Sequence, residues 1–389
     1  MITIFVVLLC LSAFIIFFAM IGYPLLLKII DKIIKPAKNK KDFSLEPTVS
    51  FMIVAHNEES IIGNKLINAI SLDYPKDKFQ IIVASDNSTD STNSIVNNFI
   101  SNHPENDIVL YCSKEHKGKT NAQNEAQKIA TGEVLVMTDA NTMIRKDAIK
   151  ELVSYFTTDE IVYVCGKLEY SNSSDNLTSK SESTYWDMDL SMRDIESRIR
   201  TITAGNGALY ACKNKEYISF NPISCHDSIM PFTYSKQGRR ALFNPDAVAI
   251  EKAGETDSDE YKRKVRMNRD LFDMLSWGFS VFNVFKYGWF SLFYFGHRTC
   301  RYLLWAAHLM LLISTIGLGI YGYFLGWIIS VLQLSCFAFA AIAIKTKSKN
   351  ALLHMIGYYG MTVFAQWHAV YNILSGKAKP VWEKAESTR

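Results

Sequence analysis

The sequence predicts an α/β protein: a parallel sheet covered on both faces, flanked by apolar segments that cross a membrane. Three observations predict it. Between Val49 and Phe156, apolar runs of strand length alternate with stretches of helical periodicity, the signature of βα units building a parallel sheet. Two of those runs end directly on a carboxylate set in small polar residues. Ile81 to Ala84 leads into S-D-N-S-T-D (Ser85 to Asp90), and Val134 to Met137 into T-D-A-N (Thr138 to Asn141). The carboxyl ends of buried parallel strands are where open α/β sheets bind ligands. Third, aromatic residues at 13% and a mean hydropathy of +0.04 are high for a soluble chain, and the excess gathers at the two ends.

Taken in order, Ile2 to Ile30 is broken only by Thr3, Ser12, Gly22, Tyr23, Pro24 and Lys28. It is too long for a signal-peptide core and lacks a basic start and a small-residue cleavage site, so residues 1–30 are expected to be a retained transmembrane anchor. A basic linker, 31–46, follows with Lys32, Lys35, Lys38, Lys40 and Lys41, and the positive-inside rule puts that flank in the cytosol. The soluble domain is expected over 47–275. Its strands are Val49–Ala55, Gln80–Ala84, Ile108–Tyr111 and Glu133–Thr138. Its helices are Ile61–Ile70, Ser91–Ile100, Thr120–Ala130 and Lys146–Phe156, with a charged helix over Glu182–Arg200 whose Trp186 packs in the core. Glu255 to Glu260 reads as a mobile loop ahead of the basic run Lys262 to Arg266.

Beyond it, 276–300 holds an aromatic run, Val281 to Phe295, expected as one interfacial helix because aromatic rings favour headgroup depth. Over 301–375, Tyr302–Gly322 and Tyr323–Ile344 are two expected spans, and Leu352–Leu374 is a third that carries His354, Gln366 and His368. Lys345, Lys347 and Lys349 form a basic connection before it. Four spans in all put the polar tail, 376–389, with Lys377, Lys379 and Lys384, on the outside against the charge rule. Either the last segment is re-entrant or interfacial, or the tail breaks the rule.

The composition narrows the function. A net charge of +4 gives no case for nucleic acid. The seven cysteines are scattered, with no C-x-x-C pair, which fits reduced thiols in the cytosol. There is no G-x-G-x-x-G and no Walker A sequence. What remains is a carboxylate series, Asp86, Asp139 and Asp227. A nucleoside-diphosphate donor needs recognition of base and ribose, neutralisation of the diphosphate, and a base for the acceptor. Asp86 can accept hydrogen bonds from a base or ribose. Asp139 suits a divalent cation, magnesium or manganese, with Asn141 adding only a neutral amide oxygen. Lys119, Arg263 and Arg266 supply positive charge for phosphates.

On these residues the chain resembles the membrane-bound family 2 glycosyltransferases, which include cellulose, hyaluronan and poly-N-acetylglucosamine synthases. The resemblance runs from about Pro47 to Asp270. It is carried by V-S-F-M-I-V-A-H-N-E-E (49–59), S-D-N-S-T-D (85–90), G-K-T-N-A-Q-N (118–124), T-D-A-N (138–141), G-N-G-A-L-Y-A (205–211), H-D (226–227) and R-K-V-R-M (263–267). It implies a GT-A (Rossmann-like, nucleotide-sugar-binding) domain with flanking transmembrane helices, and inverting transfer from a UDP-sugar. Ala55, Glu58 and Asp86 would hold the nucleoside, with Lys119 beside it. Asp139 would meet the metal and diphosphate, with Asn141 where the family usually has a second Asp. Gly205, Asn206 and Gly207 would face the acceptor, and Asp227 would be the general base. Arg263 and Arg266 match the basic positions of the family's Q-x-x-R-W element, and Met267 stands in place of its Trp.

The expectation is therefore a multi-pass enzyme of the plasma (inner) membrane, cytosolic in its catalytic domain, acting with membrane lipids on a lipid-linked or surface glycan. Its rivals are a processive synthase that exports its polymer and a non-catalytic nucleotide-sugar-binding subunit.

Overall fold

The four apolar runs form strands side by side: β1 (Val49–Ala55), β2 (Phe79–Ser85), β3 (Asp107–Cys112) and β4 (Val134–Asp139), all parallel. All seven residues of β1 are buried, as a strand covered on both faces requires. Phe51 and Ile53 pack on one face with Ile62 and Leu66 of the helix Ile62–Ile70. Met52 and Val54 pack on the other with Ala122 and Ala126 of the helix Lys119–Ala126. The structure is a computed structural model that describes residues 1–37, 39–171, 177–252, 257–346 and 351–378. Lys38, Glu255, Lys347, Lys349 and the tail from Lys379 lie outside the described residues, as does the side chain of Glu182.

The sheet departs from the all-parallel expectation past β4. β5 (Met143–Ile144), β6 (Ile161–Tyr170), β7 (Leu209–Lys213) and β8 (Arg240–Glu251) extend it to eight strands in the order β3-β2-β1-β4-β7-β6-β8-β5. β7 runs antiparallel to both β4 and β6. Thr138 is paired with Leu209, so the antiparallel run sets the residues before β7 beside the carboxyl end of β4. The β6–β8 ladder slips between Gly166 and Lys167, opposite Asn244 and Val248. Pro245, lying in the slipped stretch, has no N–H to give the ladder.

The chain divides into two units, one of Lys35–Asn172 and Asp189–Ala253 that holds this sheet, the other of Met1–Ile34, Ser173–Met188 and Gly254–Ala378. In the second, Ile2–Ile33 and Phe324–Thr346 are helices long and apolar enough to cross a membrane. Trp289–Tyr302 and Leu304–Ile320 make a third crossing if that pair, bent by 62°, is one span. The run expected as a single interfacial helix is instead two short ones, Val284–Tyr287 and Trp289–Tyr294, parted at Gly288 with φ +54°. Ala351–Leu374 is helical, and Gln366 on it has a structural task. It donates to the Arg301 carbonyl at 2.9 Å and accepts from the Trp305 N–H at 3.1 Å. Both groups lie at the bend, where backbone pairing inside the helix is interrupted and must be replaced.

Candidate active site

Asp86 follows β2 and is completely buried. Its Oδ2 accepts from Gly118 N at 2.8 Å and from His116 Nδ1 at 2.8 Å, and its Oδ1 from Lys117 N at 3.1 Å. Gly118 reaches this position at φ +96°, a backbone region that favours glycine. Asp86 N–H donates to the Ala55 carbonyl at 2.9 Å, and His56 Nδ1 donates to the Asp86 carbonyl at 2.7 Å. Asn57, at φ +53°, accepts from Thr89 N at 2.6 Å and joins the loops after β1 and β2. Glu58 is buried beside them, its N–H donating to Thr92 Oγ1 at 2.7 Å. The expected nucleoside residues Ala55, Glu58 and Asp86 are thus brought together.

The polar helix Lys119–Ala126 explains the G-K-T-N-A-Q-N run. Thr120 donates to the Ser224 carbonyl at 2.5 Å and Asn124 to the Phe220 carbonyl at 2.7 Å. His226 Nδ1 lies 2.6 Å from Gln123 Oε1, and its Nε2 3.0 Å from the Tyr217 hydroxyl. Burial, helped by the charge of Lys119, pushes His226 down to about 3. It is a neutral strut that fixes the start of the helix His226–Lys236, where Asp227 sits in the first turn.

Asp139, at the end of β4, pairs with Lys119, whose Nζ also donates to the Gly207 carbonyl at 3.0 Å. A Cβ added at Gly207 would stand 3.1 Å from Lys119 Nζ and 3.7 Å from Asp227 Oδ2. Gly205 N–H donates to the Asp227 carbonyl at 2.7 Å. Asn206 is spent on shape: it donates to the Gly166 carbonyl at 2.5 Å and accepts from Ala208 N and Leu209 N at 3.1 Å. Burial opposes the charge of Lys119, but Asp139 and Asp227 outweigh it and hold the ammonium above the usual lysine range. The result is one cluster of Lys119, Asp139, Gly207 and Asp227, two carboxylates around an ammonium at the carboxyl end of β4.

Residues 50–215 match the family described as Glycosyl transferase family 2. Residues 50–215 are a family 2 glycosyltransferase domain. The chain is 33% identical over 112 residues to the β-monoglucosyldiacylglycerol synthase of Synechocystis, which covers 29% of this chain and 23% of that protein. It is 36% identical over 136 residues to the probable glycosyltransferase YdaM of Bacillus subtilis, 34% of this chain and 32% of that one. Over 100 residues it is 35% identical to the poly-β-1,6-N-acetyl-D-glucosamine synthase of Staphylococcus epidermidis, 26% of this chain and 23% of that one. The chain thus spans a third or less of the curated relatives it matches. Among solved structures, the mannosyltransferase PcManGT of Pyrobaculum calidifontis, in complex with GDP-Man and Mn2+, has a TM-score of 0.72 at 22% identity, covering 95% of this chain and 99% of that one. The fold is that of the GT-A glycosyltransferases.

Among the described residues of the family 2 domain, two places offer metal-binding donors. His56, Asp86 and His116 bring one ligand atom each within 4.8 Å of one another. The two rings stack 3.7 Å apart with planes 11° from parallel. An imidazole binds a metal in its own plane, so neither ring plane can hold an ion shared with the other, and the Asp86 carboxylate is already taken by N–H donors. Asp139 and Asn141 instead offer the oxygen donors that magnesium and manganese take. Two features escaped the sequence reading. Neither histidine was singled out, and Lys65, fully buried on the apolar face of the helix Ile62–Ile70, donates to the Thr142 carbonyl and, at 3.3 Å, to Thr138 Oγ1. Its signal was available, since a lysine three residues after Ile62 and next to Leu66 falls on the core stripe.

Arg263 and Arg266 belong to the helical unit. Arg263 is turned onto its own helix: Nε donates to Glu260 Oε2 at 2.7 Å and Nη2 to Oε1 at 3.1 Å, with the Trp186 ring 6.0 Å from the guanidinium. Arg266 and Met267 are exposed.

Proposed function

We propose that the chain is an inverting glycosyltransferase that moves a sugar from a nucleoside diphosphate sugar to a lipid-linked or surface-glycan acceptor at the cytosolic membrane face. The observation that carries this is the meeting of Asp139, Lys119 and Asp227 around Gly207, where an added Cβ would stand 3.1 Å from Lys119 Nζ. In this reading Asp227 accepts the proton of the acceptor hydroxyl as its oxygen attacks the anomeric carbon and the bond to the diphosphate breaks. The electron pair leaves with the diphosphate, and Lys119 meets that negative charge. Asp139 and Asn141 would hold a divalent cation, which when bound stabilises the leaving diphosphate as a Lewis acid. Ala55, Glu58 and Asp86 hold the nucleoside, and Gly205, Asn206 and Gly207 shape the acceptor side. Arg263 and Arg266 supply positive charge for the diphosphate.

Residues 1–30 and 301–375 anchor the catalytic region, 47–275, to the plasma membrane. The named activities of the Synechocystis and Staphylococcus relatives support a diacylglycerol-linked or polymeric glycan acceptor, and GDP-Man in the archaeal neighbour adds GDP-sugars to the UDP-sugars as donors to test. The test is release of nucleoside diphosphate by detergent-purified protein from a panel of both, with and without manganese. Cation-dependent release from one donor, lost in Asp227→Asn, supports the reading; no release from any donor, with lipid and glycan acceptors supplied, refutes it. Product length separates single addition from the processive alternative.

A further inference from the structure

Lys65 is a buried polar group that the transfer reading does not use. It lies on the core side of the helix Ile62–Ile70 and is fully sealed, yet its amino group ends at the turn that carries Asp139. Taking a lysine out of water costs more than burying a methionine of similar size. What the lysine adds is donors. Nζ donates to the Thr142 carbonyl and, at 3.3 Å, to Thr138 Oγ1, so it holds the turn on both sides of Asp139. Its charge faces Asp139 and Glu251, and the Phe51 ring centre lies 5.4 Å away.

Two onward bonds carry this hold across the sheet. The Thr138 hydroxyl donates to the Ala208 carbonyl at 2.7 Å, directly after Gly207. The Thr142 hydroxyl donates to Glu251 Oε1 at 3.0 Å, at the end of β8. The β4–β7 ladder stops at Thr138 and Leu209, so these side chains join the two segments where backbone pairing has ended. Three residues along the same helix, Asn68 accepts from Ile144 N at 2.8 Å and donates to its carbonyl at 2.9 Å. The helix Ile62–Ile70 therefore braces the Asp139 turn from behind, and through Lys65 and Thr138 the brace reaches the acceptor side.

We propose that Lys65 is a positioning residue, which sets the spacing between Asp139 on the leaving-group side and Gly207 on the acceptor side. The inference rests on the transfer reading and adds to it the group that aligns its two halves. An in-line displacement is sensitive to that spacing. Disturbing it leaves Ala55, Glu58 and Asp86 in place but misaligns the acceptor hydroxyl, and a water, smaller and less constrained, takes over. The water oxygen then bonds to the anomeric carbon, the bond to the diphosphate breaks with its electron pair, and Asp227 takes the proton.

The experiment compares the full-length wild type, Lys65→Met and Thr138→Val in detergent with Mn2+. Donors are UDP-glucose, UDP-N-acetylglucosamine and GDP-mannose, and acceptors are octyl β-glucoside and dioctanoylglycerol. Glycosylated acceptor and free sugar are counted in the same reaction. Lys65→Met should lower the ratio of transfer to hydrolysis by about tenfold or more, with donor KM within about twofold of the wild type, and Thr138→Val should lower the ratio by a smaller factor. A lysine that served only the core would scale both products alike, so an unchanged ratio in folded Lys65→Met overturns the inference. Should that variant fail to fold, by circular dichroism, Thr138→Val decides by the same ratio. Hydrogen exchange needs no substrate: it should quicken over 139–144 and over 206–209 in both variants, and unchanged exchange overturns the inference even where the wild type transfers sugar. No turnover of any donor by the wild type, with the exchange result as expected, removes the transfer reading and with it the role of Lys65 in transfer.

Discussion

Asp86 follows β2 and Asp139 ends β4, the two strands that flank β1, and each stands among small polar residues. Asp86 is sealed from solvent and accepts two backbone N–H groups and a histidine N–H. Asp139 keeps 31% of its side chain exposed and meets the ammonium of Lys119. Backbone donors are permanent, whereas a lysine can change partners. Equivalent sequence settings therefore produce one carboxylate that holds two loops together and another that is available for exchange.

Substitutions should separate the two. The largest effect is expected from Asp227→Asn, which removes the proposed base. Transfer should fall by about 10²- to 10⁴-fold in a donor-release assay, with the fold intact by circular dichroism. Asp139→Asn should abolish manganese-dependent release while leaving the thermal midpoint close to the wild type's. Asp86→Asn should lower stability as well as donor release. Its amide would turn a donor toward N–H donors, destabilising the family 2 domain by about 1–3 kcal/mol in denaturant titrations. If both variants lose activity and neither loses stability, the contrast drawn between the two carboxylates is wrong.

Two pH profiles sharpen the contrast further. His226 is held at about 3, below its unfolded value, so the unfolded chain binds the extra proton first. Its contribution to stability is complete above the unfolded value and declines as pH falls toward 3, by up to about 1.4 kcal/mol per pH unit. His226→Gln should flatten thermal melts recorded over that window. Burial pushes Lys65 down to about 7, opposed by Asp139 and Glu251. Between 7 and the ordinary lysine range the unfolded chain again binds more protons, so stability should rise with pH. Lys65→Met should remove that rise, the easiest of these effects to lose among other titrating lysines.

The parallel half of the sheet was legible because β1, β2 and β4 are continuous apolar runs, each ended by polar residues. β7 was not, since five residues carry no sign of their direction, and antiparallel pairing is what brings Gly205–Gly207 to Asp139. Asp139, Lys119 and Asp227 could be named from residue type and order, but their meeting depends on that reversal. The histidines of His226-Asp227 and of Lys114-Glu115-His116 show the same limit: both have chemistry-bearing side chains, yet the structure uses both to hold carboxylate-bearing loops. Arg263 was read as free positive charge, and only the fold reveals Glu260 three residues earlier as its partner. Gln366 looked like a polar flaw in an apolar helix until the bend at Leu303 supplied the two groups it satisfies.

The hydrogen bonds from Thr120, Asn124 and Gln123 reach residues 96 to 104 positions later in the chain. A ribosome therefore completes the parallel strands well before it delivers the segment that satisfies the polar side of the helix Lys119–Ala126. At about 5–20 residues per second this interval lasts several seconds, during which those side chains have only water or chaperones as partners. The family match stops at residue 215, inside that interval. A fragment cut at that residue would lack Phe220, Ser224 and His226, the partners of Asn124, Thr120 and Gln123.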